Sequence, residues 1–466
     1  MTDLQAIDRY LQQSQPNHLD QLKDLLRIPS VSADPAYQES VTAAAQSVLD
    51  TLAKAGLKTE LIETDGPPLV YAESKPVPGK PVALVYGHYD VQPPDPLDLW
   101  TTPPFEPEER DGNLYARGAT DDKGQMLTHV HSVAAWAASG QELPMQVKFL
   151  IEGEEEVGSE QFEHYLSSPA AADKLACDVV VISDSCQYAE GQPAITYGLR
   201  GIAYFELHFT GPKQDLHSGS FGGAVNNPAN ALAKFLNSMM DEDGRIQLPG
   251  FYDSVLELEP SEREAWQQLN FDEAAFAEYL GVQELKGETG FTTLERRWAR
   301  PTCDVHGLWG GYQGEGGKTI VPSKASAKVS FRLVPNQTPA EVARQFEAFV
   351  RDNTPPGITI ELVDLHGGPG VVVAPNSPYI SAAQNAVATA FGKEPVLIRE
   401  GGSIPIVADM VEKLGADVLL LGWGLNDDGA HSPDEKFKIE DYYRGIRASS
   451  HLWHELAQVE SQSSLS

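Results

Sequence analysis

Apolar residues recur at helical spacing from the start of the chain: Leu4, Ile7 and Leu11, then Leu19, Leu22, Leu25 and Leu26, with Pro29 closing the second segment. The same spacing predicts a helix over 38–55, with Val41, Ala44, Ala45, Val48 and Leu52 on one face. Short apolar runs follow at 69–72, 82–86, 147–151 and 179–182, separated by turn residues and by a helical pattern over 124–138. Runs of this kind alternating with helices predict an α/β layer whose sheet is buried on both faces.

The pattern changes near residue 196. The strands become longer and alternate, as in Ile202, Tyr204, Glu206 and His208, then over 325–333 and 358–363, with helical patterns at 228–240 and 339–350. That is the pattern of an α+β domain with a half-exposed sheet. Residues 241–300 hold 14 acidic and six basic side chains and read as a solvated helical excursion. After about residue 376 the first style returns, with a helix over 377–391, strands at 396–398 and 418–421, and a closing helix over 439–459. The economical organisation is one α/β domain (1–195 and 377–466), with a mixed and largely parallel sheet flanked by helices, interrupted by an inserted α+β domain (196–376). A Ser-rich tail is expected to fray.

Composition narrows the partners. With 34 Lys and Arg against 67 Asp and Glu, the net charge is −33. A chain this acidic is repelled by phosphate backbones and anionic membrane faces, so neither nucleic acid nor membrane is an expected partner. The 41% of apolar residues excludes disorder. Cys177, Cys186 and Cys303 are too few and odd in number for a disulfide framework. No signal segment or run of about 20 apolar residues is visible, and a cytoplasmic location is expected.

The candidate chemistry sits where the buried strands end. Residues two apart on a strand share a face, so His88 and Asp90 can touch while Tyr89 points away, leaving one imidazole nitrogen for a metal. A purely structural pair satisfies the same spacing. Asp121 and Asp122 lie on a glycine-bounded turn before a helix, and capping of that helix explains them equally. The run Glu154-Glu155-Glu156 follows the strand at 147–151 and suits either a solvated acidic loop or a cation. Asp184 follows the strand at 179–182, and His431 follows the strand at 418–421. Polar residues after four separate buried strands converge on one edge of an open sheet, where ligands bind in such folds. Five ligands exceed one tetrahedral Zn²⁺ and suit two metals sharing a carboxylate.

Five strings in order resemble the M20 metallopeptidases, in their cytosolic non-specific dipeptidase or carnosinase-like branch. They are Gly87-His88-Tyr89-Asp90-Val91-Gln92-Pro93, Arg117-Gly118-Ala119-Thr120-Asp121-Asp122-Lys123-Gly124, Glu155-Glu156-Val157-Gly158-Ser159, Asp215-Leu216-His217-Ser218-Gly219 and Gly429-Ala430-His431-Ser432. The resemblance implies a dinuclear Zn²⁺ or Mn²⁺ peptidase whose inserted domain is a lid and also forms a homodimer. It puts His88 and Asp184 on one metal, Glu156 and His431 on the other, and Asp121 between them, with the Asp121-Asp122 peptide often cis. Glu155 becomes the catalytic base and Asp90 the partner of His88. Glu154 departs from the family pattern, and the frame of the triple Glu is set by the distance to Gly158-Ser159. His217 is implied to reach the partner subunit's active site and stabilise the oxyanion. Arg332, which also suits the solvent side of a sheet, is implied to hold a peptide's C-terminal carboxylate. Thr319, His366 and Ser403 match further substrate-contact positions.

The expected activity is hydrolysis of dipeptides or short peptides with a free C-terminal carboxylate. The alternatives are an N-acyl amino acid deacylase, of acetylornithine or succinyl-diaminopimelate type, and a catalytically silent metal-stabilised dimer. Trp298 and Trp309 beside Tyr312 read as packing in the inserted domain. The glycine-rich stretch 310–318 lacks the ending and context of a phosphate loop.

Overall fold

A computed structural model describes residues 2–402 and 404–460, apart from the side chain of Pro405; Ser403 and most of the Ser-rich tail, 461–466, lie outside the described residues. The chain divides into two compact units. One comprises Met1–Tyr197, Val373–Ile398 and Asp409–Ser466, the other Gly198–Val372 and Arg399–Ala408.

The first unit is built on a sheet whose central strands run in the spatial order Gln146–Glu152, Val82–His88, Val179–Ile182 and Asp417–Leu421. These four are mutually parallel. Val147, Phe149, Leu150, Ile151, Val179, Val180, Val181 and Ile182 have no exposed surface, which is why their sequences show continuous apolar runs rather than alternation. Antiparallel strands Leu69–Glu73 and Lys58–Ile62 extend one side, and Ala194–Leu199 pairs with Asp417–Leu421 on the other. Because the central strands are parallel, their carboxyl ends share one edge.

The longer helices of this unit are Leu4–Leu26, Gln38–Lys54, Lys123–Ala138, Pro378–Phe391 and Ile439–Leu456. The first was expected in two segments and is continuous, although Pro16 lies inside it. Proline removes one helical hydrogen bond. The buried residues Ile7, Leu11, His18, Leu22 and Leu25 nevertheless stay in phase across Pro16, so both halves bury one stripe, and tertiary packing carries the helix through.

In the second unit four antiparallel strands lie in the order Thr302–Gly310, Lys324–Leu333, Gly201–Thr210 and Thr359–Gly368. Along the third of these, Ala203, Phe205, Leu207 and Phe209 are buried, while Ile202, Tyr204, Glu206 and His208 are only partly so. The buried set packs with Val329 and Phe331 against Leu232 and Phe235 of helix Pro228–Ser238 and Val342, Phe346 and Phe349 of helix Pro339–Asn353. Asn227 caps the first of these helices through the amides of Ala229 and Asn230. The acidic excursion folds as three short helices, Pro260–Gln267, Glu273–Leu280 and Thr293–Trp298. Packing holds for Trp298, which is buried against Trp266 with ring centroids 5.2 Å apart. Trp309 and Tyr312 are less covered, 38% and 45% exposed: Trp309 lies edge-on to His208, ring centroids 6.4 Å apart, and both lie on or just beyond an edge strand, with no further strand beside it among the described residues.

Candidate active site

His88 is the last residue of its strand, and its ring is held from both sides. Nδ1 lies 3.3 Å from Oδ1 of Asp90 and 3.1 Å from the Asp90 carbonyl oxygen. Nε2 faces Asp121 Oδ1 at 3.2 Å without hydrogen-bond geometry, and is a buried polar atom with no hydrogen-bond partner. Burial opposes charge on this imidazole, but the Asp121 and Asp90 carboxylates outweigh it and hold its pKa well above the ordinary value. Asp90 also accepts the amides of Glu155 at 3.3 Å and Glu156 at 3.2 Å, so one carboxylate fixes the histidine and the acidic turn after the neighbouring strand.

Asp121 stands between two histidines. Its Oδ1 faces His88, and its Oδ2 lies 3.0 Å from Nε2 of His431. Burial would raise its pKa, yet His431 and His88 hold it below the usual carboxylate range. The Asp121-Asp122 peptide is cis. Capping does not explain this pair: Asp122 precedes helix Lys123–Ala138 but makes no side-chain cap, its Oδ2 instead accepting the His88 amide at 3.2 Å.

His431 Nε2 is also 3.2 Å from Glu156 Oε2. Its backbone is held at φ 60°, a region that β-carbon residues enter only when the surroundings impose it. The carboxylates of Asp121 and Glu156 raise its pKa to about 10 against partial burial. Glu155 and Glu156 share a short 3-10 turn, and Gln92 Nε2 donates to Glu156 Oε2 at 2.8 Å. Glu154 turns elsewhere, to accept the amide of Gln161. The triple Glu is thus divided between a local cap and the site. Burial pushes Glu155 up to about 7, with His88 opposing and Glu156, Asp121 and Asp90 adding to the rise. Burial and the Asp121, Glu155 and Glu156 carboxylates push Asp184 well above the usual range, against His88.

Ligand atoms of His88, Asp121 and Glu156 lie within 4.8 Å of one another. Two imidazole nitrogens and several convergent carboxylates are a donor set of the kind that borderline divalent cations take, and the partnerless buried Nε2 of His88 fits a ligand atom. Sequence reasoning missed two residues that build this edge. Glu435 is fully buried and accepts hydrogen bonds from the 117–121 turn, and Thr120 Oγ1 donates to Asp428 Oδ2 at 3.1 Å. In sequence, Pro433-Asp434-Glu435-Lys436 looks like ordinary surface charge.

The remaining expected residues belong to the second unit. His217 and Thr319 come together where Leu216–His217 pairs with Ile320–Val321; the Ser218 amide donates to the Thr319 carbonyl at 3.1 Å, and both side chains are exposed. His217 Nδ1 accepts the Gly219 amide at 3.0 Å. Arg332 lies opposite Ile202 and Thr302 in the sheet, with Asp304 countering the effect of burial on its charge. His366 is exposed and packs edge-on against Tyr204, ring centroids 5.2 Å apart. Ser403 falls outside the described residues.

Comparison with known proteins identifies the family. Residues 84–455 match the model of peptidase family M20/M25/M40. The chain is 33% identical over 452 residues to the Cys-Gly metallodipeptidase dug1 of Schizosaccharomyces pombe, covering 94% of this chain and 95% of that one. It is 33% identical over 475 residues to the human Beta-Ala-His dipeptidase, covering 98% and 93%. Among solved structures it superposes with TM-score 0.85 on the M20 family metallo-carboxypeptidase Sso-CP2 from Sulfolobus solfataricus, at 35% identity over 95% of this chain and 99% of that one. The chain belongs to peptidase family M20/M25/M40.

Proposed function

We propose that this chain is a metal-dependent dipeptidase that hydrolyses dipeptides or short peptides with a free C-terminal carboxylate. The observation that carries the reading is the Asp121 carboxylate, whose two oxygens face His88 at 3.2 Å and His431 at 3.0 Å, the disposition expected of a ligand shared by two cations. In this reading His88 and Asp184 would hold one divalent ion and Glu156 and His431 the other, with Asp121 available to both. Zn²⁺ or Mn²⁺ suits these donors. Such a pair supplies Lewis acidity toward the scissile carbonyl and lowers the pKa of water.

The chain's own residues do the rest. Asp90 fixes the His88 ring so that Nε2 faces the ligand set. Glu155, free of the ion-pair contacts that engage Glu156, accepts the proton of the attacking water and passes it to the leaving amine; burial brings its pKa to about 7, near the range where a carboxylate both takes and gives a proton at neutral pH. Arg332 holds the substrate carboxylate, with Thr319, His366 and Ser403 as further contacts. His217 stabilises the developing oxyanion from the partner subunit. The edge strand Thr302–Gly310 supports a homodimer through this unit, because Val305, Leu308 and Trp309 are exposed along it. The relatives act on Cys-Gly and Beta-Ala-His, by their names, and support a small peptide substrate over an N-acyl amino acid.

A cytoplasmic site of action is supported by three cysteines that form no disulfide. Among the described residues no helix is long and apolar enough to cross a membrane. The reading is tested with Mn²⁺- and Zn²⁺-loaded protein assayed on a dipeptide panel alongside N-acetyl and N-succinyl amino acids. Turnover of dipeptides is expected; turnover of acylated substrates alone would refute the reading.

A further inference from the structure

The segment that presents Asp121 and the segment that presents His431 lie about 300 residues apart in sequence, and one buried carboxylate joins them. Glu435 has no exposed surface. Its Oε2 accepts Arg117 Nη1 at 2.7 Å and the Gly118 amide at 2.9 Å, and its Oε1 accepts the Thr120 amide at 2.9 Å and the Asp121 amide at 3.2 Å. Its own carbonyl takes the Ala116 amide at 3.0 Å. The turn therefore wraps its amides around a carboxyl group supplied by the chain itself. A second tie lies beside it: Asp428 Oδ2 accepts both Thr120 Oγ1 at 3.1 Å and the Leu425 amide at 2.7 Å.

We propose that Glu435 is a positioning residue that sets the orientation of Asp121 relative to His431. The proposal rests on the reading of His88, Asp121, Glu156 and His431 as a metal set. Glu435 bonds Arg117 and three backbone amides rather than any proposed ligand side chain; it acts through the backbone, fixing the peptide from which the Asp121 side chain departs. Only an ionised carboxylate offers acceptors to all four donors and no competing donor. A glutamine of the same shape turns an NH₂ group toward N–H donors, which leaves at least one of them without a partner. A merely structural role would give lost stability in proportion to the bonds lost. Positioning adds a loss of cation affinity that other, equally destabilising substitutions do not produce.

The test compares Glu435→Gln with the full-length parent and with Asp8→Asn. The latter breaks a distant contact in the same unit, where Asp8 accepts Arg447 Nε at 3.1 Å and His451 Nε2 at 3.0 Å. Each protein is stripped with a chelator and titrated with Mn²⁺ by calorimetry, and amide exchange is followed over residues 116–122. In Glu435→Gln the amides of Gly118, Thr120 and Asp121 should lose protection and the Mn²⁺ dissociation constant should rise about 10- to 100-fold. Asp8→Asn should lower thermal stability and leave Mn²⁺ binding unchanged. Unchanged exchange, unchanged affinity, or an equal loss of affinity in Asp8→Asn would each overturn the proposal. A parent that takes up no Mn²⁺ overturns the metal reading and this proposal together, whereas a Glu435→Gln variant that binds like the parent overturns this proposal alone. Should Glu435→Gln not fold, Glu435→Asp keeps the charge but is one methylene too short to reach all four donors, and should weaken Mn²⁺ binding toward the lower end of that range; unchanged binding there overturns the proposal equally.

Discussion

Oδ1 of Asp90 lies 3.3 Å from Nδ1 of His88, and neither side chain has any exposed surface. The same carboxylate accepts the amides of Glu155 and Glu156, so it orients one imidazole and one acidic turn at once. Asp90→Asn keeps the shape but presents only one acceptor oxygen. It should weaken divalent-cation binding about 10- to 100-fold, as loss of an outer partner of a ligating histidine commonly does. Titration of chelator-stripped protein measures this directly.

Glu155→Gln should separate chemistry from metal. The side chain keeps its volume and Glu156 keeps its contact with His431, so bound metal per subunit should match the parent. Loss of the proton acceptor should lower kcat by about 10²- to 10⁴-fold with a smaller change in KM. Near-parental turnover would remove Glu155 from this role. Asp121→Ala should instead lose metal, read by elemental analysis of the purified variant.

Acid sensitivity should come from buried histidines outside the proposed ligand set. His18 stacks on His131 at 4.5 Å, and burial holds His18 at about 4, His129 at about 3 and His131 well below its ordinary value. An unfolded histidine titrates near 6.5, so these groups cost nothing above that pH. As pH falls below about 6.5 the unfolded chain takes up protons that the folded chain refuses, and each such histidine removes up to about 1.4 kcal/mol per pH unit. His131→Phe retains a ring against Tyr442 and cannot charge. The thermal midpoint of the parent should therefore fall relative to this variant between pH 7 and pH 5; parallel profiles would refute the assignment.

Gly153 has no room for a side chain. A β-carbon there would lie 2.3 Å from the ring of Tyr89, which is fully buried between His88 and Asp90 in sequence and donates its hydroxyl to the Pro68 carbonyl at 2.5 Å. Gly153→Ala should destabilise the fold by roughly 1–3 kcal/mol. Because Tyr89 is displaced with its neighbours, bound metal should fall too. Thermal denaturation and metal content on one preparation check both.

Much of this architecture is legible in the residues. Val179–Ile182 reads as a doubly buried strand because four consecutive apolar residues leave no polar face, and Asp184, just beyond it, reads as a candidate because a carboxylate beside such a strand is costly without a partner. Glu435 was not legible. Its burial depends on a turn some 315 residues earlier closing over it, and no local pattern distinguishes it from Asp434, which stays partly exposed and accepts from Thr101 instead. The division of Glu154 from Glu156 depends likewise on where the amide of Gln161 falls. The greater exposure of Trp309 is not legible either, because an aromatic residue on an edge strand has the same composition signal as one in a core.

The strand Asp417–Leu421 lies between Val179–Ile182 and Ala194–Leu199, which are close neighbours in sequence. During synthesis the ribosome releases those two strands more than 200 residues before the one that belongs between them. The early part of the chain must therefore wait with a gap in its sheet, its apolar strand flanks unpaired, while the other unit is completed. Long-range closure of this sort is slow and leaves edges open to other chains. In the proposed reading His431 arrives on the same late segment, so gain of a cation there would mark the end of folding rather than an early step, and a pulse-labelled nascent chain would become chelator-sensitive only after that strand has emerged.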